Sequence, residues 1–548
     1  MIGIRTAYLY LSAVKIKFIK LFRRIYFTTG FYKSSLKSRT PSQFFFFPNS
    51  FLMSSFINYK KFKFKIENIN PNEFWDNNYT SKEKKELHNF LWLGSIDRRV
   101  NPSILREIVS HWNSQNLKYR NLIWETSVIS KRIMSWILNA DIILKNSNFA
   151  FKRNFLESII IQTNHLKKNF KFETDNQKKI EIITSIILTG LVFKEYKENY
   201  EYGIKELERL LKISLDEDGF PLTRNPDDLF NFAKHLLVIK ENIKDSMEFI
   251  PEFLEKTLEK NLSILKNITT PLNNLPLFNG SFEIDLTEFY NCIDKLNIKI
   301  KKNKRDTGNI YLIKNKKDLI YFEAGSPPEK NFSSKYQSGP LSFEYYSDDK
   351  KIITNSGFGV NISGKAKFLS RLTSSQSTLC LNDTSIVGFE KNSIMSKAYG
   401  FLINKNFKIT DLQTKNEVDK VSVQAEHDAY LKNLGCLHKR SITIDKINSK
   451  ILGSDVLVNN KINQTIKYDV RFHLFPGLTA VQTIGGSTAL IQISKNRALL
   501  FSTDEKVLKI EKSIFFGGNK VLNNYCIVIS GRLDTSDKII NWEISKKS

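Results

Sequence analysis

The sequence predicts a multidomain α+β protein, an all-helical half followed by an all-β half. Three observations predict it. From about residue 80 to 270, apolar residues recur at i, i+3, i+4 and i+7, the spacing of one helix face. After about residue 305 the period falls to two, in short runs between Gly, Asn, Asp and Lys turns. Between them lies the charged joint "NIKIKKNKRDTG". A chain of 548 residues is too long for one small core, and 41% hydrophobic content supplies several. The expected division is a basic N-terminal segment over 1–74, a helical domain over 75–295 and a β-domain over 308–545.

The opening "MIGIRTAYLYLSAVKIKFIKLFRRIYFTTGF" is apolar but interrupted by Lys15, Lys17 and Lys20, so it does not suit a bilayer span. It reads as a basic amphipathic helix, packed on the protein or laid on a membrane surface. Seven helical runs follow, among them "PSILREIVSHWNSQN", "FKRNFLESIIIQTNHLKKNF" and "KKIEIITSIILTGLVFKEY", joined by short polar links as in antiparallel helix pairs. The later runs "GNIYLIKN", "DLIYFEAG", "LSFEYYS", "KIITNSG", "IKYDVRFHLF" and "YCIVISG" are strands of an antiparallel sandwich.

Composition narrows the chemistry. A net charge of +27 favours anionic partners, although a Lys-, Asn-, Ile- and Phe-rich mix of the kind an AT-rich genome yields also accounts for it. No nucleic-acid-binding module is recognisable, so nucleic acid is not an expected partner. Four cysteines lie far apart with no CxxC pair, and seven histidines form no HExxH or HxH, which argues against a disulfide framework and a zinc motif. No cofactor is expected.

Seven segments, in order, carry a resemblance: "WETSVISKRIMSWI", "DEDGFPLTRNP", "LPLFNG", "GPLSFEYYSDDKKIITNSG", "RLTSSQSTLCLNDTS", "AEHDAYLKNLGCLHKRSITI" and "RFHLFPG". Together they resemble the heparinase II/III-like proteins over roughly residues 75 to 545. The resemblance implies an α/α-toroid followed by a β-sandwich. It also implies a bacterial polysaccharide lyase that removes the proton beside a uronate carboxylate, with an acidic polysaccharide such as a glycosaminoglycan as partner. That proton is weakly acidic, so such a site neutralises the carboxylate and supplies a base and an acid.

Here the chain departs from the family. The family's histidine positions fall on Gln337 and Gln376, and its metal-facing Asp or Asn falls on Asn355. Amides do not titrate near neutrality and bind zinc poorly, so no metal is expected there. The family's Asn-His pair falls near Asn176-Gln177, with Asn164-His165 as another candidate. By resemblance the catalytic positions are therefore Gln337, Gln376, Tyr336 and Asn176, and the substrate-binding positions Arg224, Asn225, Arg371 and Asn355. A base other than glutamine would be Tyr336, Tyr345 or His165. His427, His438, Arg440, Arg471 and His473 read as sandwich framework.

Two functions stay open. One is a lyase with a non-standard active site; the other is a non-catalytic protein of acidic-glycan binding or envelope assembly that kept the fold. The resemblance implies the cell envelope or periplasm, whereas the N-terminus lacks a clean cleavable signal and leaves the cytoplasm open. The basic N-terminus offers a peripheral membrane contact.

Overall fold

The computed structural model describes residues 2–56, 74–75, 78–301, 308–390, 393–460, 465–506, 508–534 and 536–546. Residues 302–307 of the expected joint, and 57–73 of the expected N-terminal segment, lie outside them. The chain forms two compact units: Met1–Leu215 with Phe230–Leu262 and Asp285–Lys301, and Asp216–Leu229 with Ser263–Ile284 and Lys302–Ser548.

The first unit is helical. Its helices begin with α1 (Ile2–Phe27), α2 (Gly30–Leu36), α3 (Ser81–His88), α4 (Pro102–Asn116), α5 (Thr126–Leu138) and α6 (Ala140–Ile143). They continue with α7 (Phe149–Asn169), α8 (Asn176–Val192) and α9 (Lys197–Ser214). Local chemistry sets the starts: Thr80 and Glu83 form a reciprocal capping box at α3, and Asn101 caps α4 with Pro102 at its first position. Every residue of α8 from Ile180 to Val192 is buried. Two glycines let α8 and α9 touch. A Cβ on Gly190 would lie 2.2 Å from the Tyr200 nitrogen, and one on Gly203 would lie 2.4 Å from Ile187.

Arg132, fully buried on α5, bonds Gln162 at 2.6 Å and the carbonyl of His88 at 2.7 Å, with its guanidinium 4.2 Å from the Trp112 ring centre. The helix α10 (Pro226–Asp245) contributes His235, whose Nδ1 meets Thr184 Oγ1 at 3.0 Å.

The second unit is two antiparallel eight-stranded sheets. One runs β1 (Ile310–Lys314), β2 (Asp318–Glu323), β3 (Phe343–Ser347), β4 (Lys350–Thr354), then β10 (Ile466–Leu474), β15 (Leu522–Leu533) and β14 (Leu508–Phe515), with β5 (Leu379–Leu381) also on β10. The other runs β11 (Thr479–Gln482), β12 (Thr488–Ser494), β13 (Arg497–Thr503), β16 (Lys538–Lys546), β9 (Lys450–Asn459), β8 (Cys436–Asp445), β7 (Lys420–His427) and β6 (Ile409–Asn416). The alternation on β8 is complete, buried residues at every second position, so one face meets the core. Between the sheets Phe343 of β3 stacks on Trp542 of β16 at 5.5 Å. All-α followed by antiparallel β is the architecture the period change predicts.

Candidate functional site

The second unit gathers most of the residues singled out by sequence. Asp216 and Gly219 close a turn, with Asp216 accepting from the Phe220 nitrogen at 2.7 Å. Arg224 then takes a left-handed backbone, φ 61°, which aims its guanidinium at Glu323. Nη2 meets Glu323 Oε1 at 2.5 Å, and Nη1 donates to the Ser326 carbonyl. Gly325 makes room: a Cβ there would stand 1.7 Å from Arg224 Nη2. Both partners are buried. Burial pushes the Glu323 carboxyl up, opposed by Arg224.

Asn225 caps α10, its Oδ1 accepting from Asp227 N at 2.9 Å. Its Nδ2 is buried without a partner, as are Arg224 Nε and Glu323 Oε2. Asp227 accepts from Ser281 Oγ at 2.7 Å and Phe282 N at 3.0 Å, while Asp228 pairs with Lys335 Nζ at 2.8 Å. Burial pushes the Asp227 carboxyl up to about 7, against the two hydrogen bonds that favour its ionised form.

Tyr336 sits beside this cluster with its ring wholly buried and its hydroxyl unpartnered. Burial, then the Glu323 charge, pushes its phenol far up, so it stays protonated at physiological pH. Tyr345 is likewise buried, its hydroxyl donating to Asp318 at 2.7 Å.

The three amide positions do come together. Gln337 Oε1 accepts from Gly280 N at 2.9 Å, and its Nε2 donates to the carbonyls of Gly357 at 3.0 Å and Ser370 at 2.7 Å. Gln376 Nε2 donates to the same Ser370 carbonyl at 2.8 Å. Asn355 Oδ1 accepts from Ser377 N at 2.9 Å, leaving its Nδ2 unpartnered. The resemblance implies zinc held by imidazole and carboxylate at these positions, and the residues present do not fit that ion. The oxygens of Gln337 and Asn355 are turned to backbone N–H groups, and none of the three side chains is anionic.

Arg371 does not suit the role expected of it. It is fully buried, gives Nε to Tyr336 O at 2.8 Å, Nη1 to Phe401 O at 2.6 Å and Nη2 to Ser333 O at 2.9 Å, and stacks on Phe389. It ties three loops together. Burial lowers its pKa to about 9.

Asn176 and His165 belong to the helical unit. Asn176 opens α8 and donates to Ser214 Oγ at 2.9 Å; Gln177 accepts from Asn231 at 2.7 Å. His165 Nδ1 lies 2.6 Å from the Tyr32 hydroxyl, which also accepts from Asn169 Nδ2 at 3.1 Å. With its proton on Nε2, a neutral His165 would accept the Tyr32 hydroxyl at Nδ1. Burial, then Arg23, lowers its pKa to about 3.

Beside His165 opens a cavity of about 870 Å³ within the same unit. Lys15, Lys20, Arg23 and Arg24 of α1 line one wall, and Lys171 and Lys178 another. Arg23 rests 4.1 Å from the Phe172 ring and 5.0 Å from that of Phe27. The cavity's acids are engaged: Glu125 pairs with Lys85 at 2.7 Å, and Glu173 accepts from Thr126 and two backbone N–H groups. Sequence reading takes α1 for a basic amphipathic helix without placing it in a cavity wall, and it does not offer Asp227 or Glu323 as site residues. A helix that supplies a cavity from its polar side carries no motif, but five cations from Lys15 to Arg24 without an acid were a readable signal.

Comparison with known proteins now adds to the geometry. Residues 99–304 match the heparinase II/III N-terminus, and residues 301–543 match the heparinase II/III-like C-terminal domain. The chain belongs to the heparinase II/III-like family. Among solved structures it is similar to heparan sulfate lyase HepC from Pedobacter heparinus, with 16% identity, TM-score 0.61, and 94% of this chain and 87% of that one covered. A structure of heparinase III gives 13% identity and TM-score 0.66, covering 97% and 91%. No curated protein matches. At such identities the likeness carries the fold, toroid and sandwich, and not the chemistry.

Proposed function

We propose that this heparinase II/III-like protein binds an acidic polysaccharide in the basic cavity of its helical unit, with its glutamine positions serving as structural ties. The carrying observation is that cavity, where six cations stand beyond the Lys85 that pairs with Glu125. A chain of carboxylated or sulfated sugars supplies both the repeated charge and the ring faces for the half-buried Tyr119 and Phe27, which also line it. Isothermal titration with heparan sulfate and alginate oligosaccharides, against neutral dextran, tests this. Binding that weakens steeply with salt and about tenfold in Arg23→Ala supports it; equal affinity for dextran refutes it.

One observation favours the alternative of a lyase with a non-standard base. A carboxyl whose pKa is near 7 is suited to proton abstraction, and Asp227 is such a group, three residues from Arg224. Elimination leaves a conjugated double bond. A rise in ultraviolet absorbance on uronate polymers that Asp227→Asn abolishes would establish that reading in place of pure binding.

A further inference from the structure

Unlike an ordinary surface helix, α1 is apolar on its outer side as well as on the side it buries. Ala13 is fully buried, and Ile16, Ile19, Arg23 and Phe27 are half-buried on the side that meets the protein. The opposite side is apolar and open. Tyr8, Leu11, Phe18, Leu21, Phe22, Ile25 and Tyr26 are 46–70% exposed. At 3.6 residues per turn they fall within about 140° of the circumference, a continuous stripe along about five turns. A stripe of that extent in a water-soluble fold marks an interaction surface.

The charge around it selects the occupant. The chain carries no Asp or Glu before Glu67, and α1 itself holds Arg5, Lys15, Lys17, Lys20, Arg23 and Arg24. Lys17 borders the stripe, and Lys15 and Arg24, which also reach the rim of the cavity, stand on stems long enough to lift their charges to the lipid headgroups. A second copy of the chain would bring two acid-free helices face to face, which charge disfavours. The stripe is also rich in Tyr and Phe, and such aromatic side chains settle at the lipid–water boundary. Among the described residues no helix is long and apolar enough to cross a membrane.

We propose that α1 lies in the plane of an anionic lipid surface, with its apolar stripe in the headgroup boundary and its basic border on lipid phosphates. This goes beyond glycan binding and does not rest on it. Since a protein of net charge +27 adheres to anionic vesicles by charge alone, the decisive variant removes apolar surface and keeps every charge.

The experiment is co-sedimentation of full-length protein with vesicles of phosphatidylglycerol and phosphatidylcholine, and of phosphatidylcholine alone. Wild type should pellet with the mixed vesicles, and the variant Phe18→Gln/Phe22→Gln/Ile25→Gln should bind at least about tenfold more weakly with an unchanged circular dichroism melt. All three positions are exposed, so the fold tolerates the change; if that melt shifts, the single variant Phe22→Gln must show a smaller loss in the same direction. Equal binding of wild type and variants reduces the attachment to bulk charge and overturns the proposal. So does wild type that stays in the supernatant, or a stripe-dependent dimer without vesicle binding.

Discussion

Gln337 and Gln376 donate to one acceptor, the carbonyl of Ser370, at 2.7 and 2.8 Å. Two side chains that the sequence resemblance aligns with family imidazoles thus converge on one loop carbonyl. An amide carries two N–H donors and an oxygen, where a neutral imidazole offers one donor and one acceptor, and Gln337 makes three bonds at once. Replacing Gln337 by Ala leaves the Gly280 N–H buried without its acceptor and opens a cavity, while the carbonyls of Gly357 and Ser370 keep Ser356 Oγ and Gln376 Nε2 as their remaining donors. The expected loss is about 2–4 kcal/mol, read as a lower urea midpoint at unchanged slope. A loss below about 0.5 kcal/mol would show that the amide is not a structural tie.

Asp455 anchors the sandwich in a similar manner. It accepts from Arg440 at 2.8 and 3.1 Å, from His438 at 2.7 Å and from Trp542 at 3.0 Å, all at buried positions. Burial opposes its charge, but Arg440 and His438 outweigh that and hold the carboxyl well below the usual range. Asp455→Ala strands a buried guanidinium and should cost about 3–5 kcal/mol, enough to remove soluble expression in a marginal domain.

Much of this was legible in sequence and some was not. Strands β7 and β8 follow their apolar period, whereas α8 is buried all round from Ile180 to Val192, and the framework reading of His427, His438 and Arg440 matches their burial. Strand β6, "ITDLQTKN", has no buried residue, so it shows no alternation. Strand β9 hides its period because Gly453 leaves room for the Trp542 ring instead of presenting a side chain. The partner of Arg224 was invisible for another reason. Glu323 lies 99 residues away at the end of an apolar strand, and only the left-handed turn at Arg224 brings them together.

His165 sets an acid limit on the helical unit. Its folded pKa is about 3, below the unfolded 6.5, so between those values the unfolded chain binds more protons. Stability is therefore complete above about pH 6.5 and declines as pH falls towards 3. Melting temperature measured from about pH 7 to pH 4 should drop, and less steeply in His165→Gln. An identical slope in that variant would mean that other groups dominate.

Asp227 predicts the opposite slope. Its folded pKa, about 7, exceeds the unfolded 3.8, so between those values the native state holds the extra proton. Stability from this group is therefore intact below about pH 4 and declines as pH rises through 7. An amide mimics the protonated carboxyl: one oxygen still accepts from Phe282 N, and the amino group faces Ser281 Oγ. Asp227→Asn should consequently match wild type at about pH 4 and exceed it at about pH 8, by on the order of 4 kcal/mol in urea unfolding. The nearby ion pair of Asp228 and Lys335 is the control, because Lys335→Met removes a charge that favours ionised Asp227 and should carry the wild-type decline to higher pH. If Asp227→Asn is instead less stable than wild type at both pH values, the carboxylate is ionised in the native protein. Its candidacy as a base poised near neutrality then fails with it.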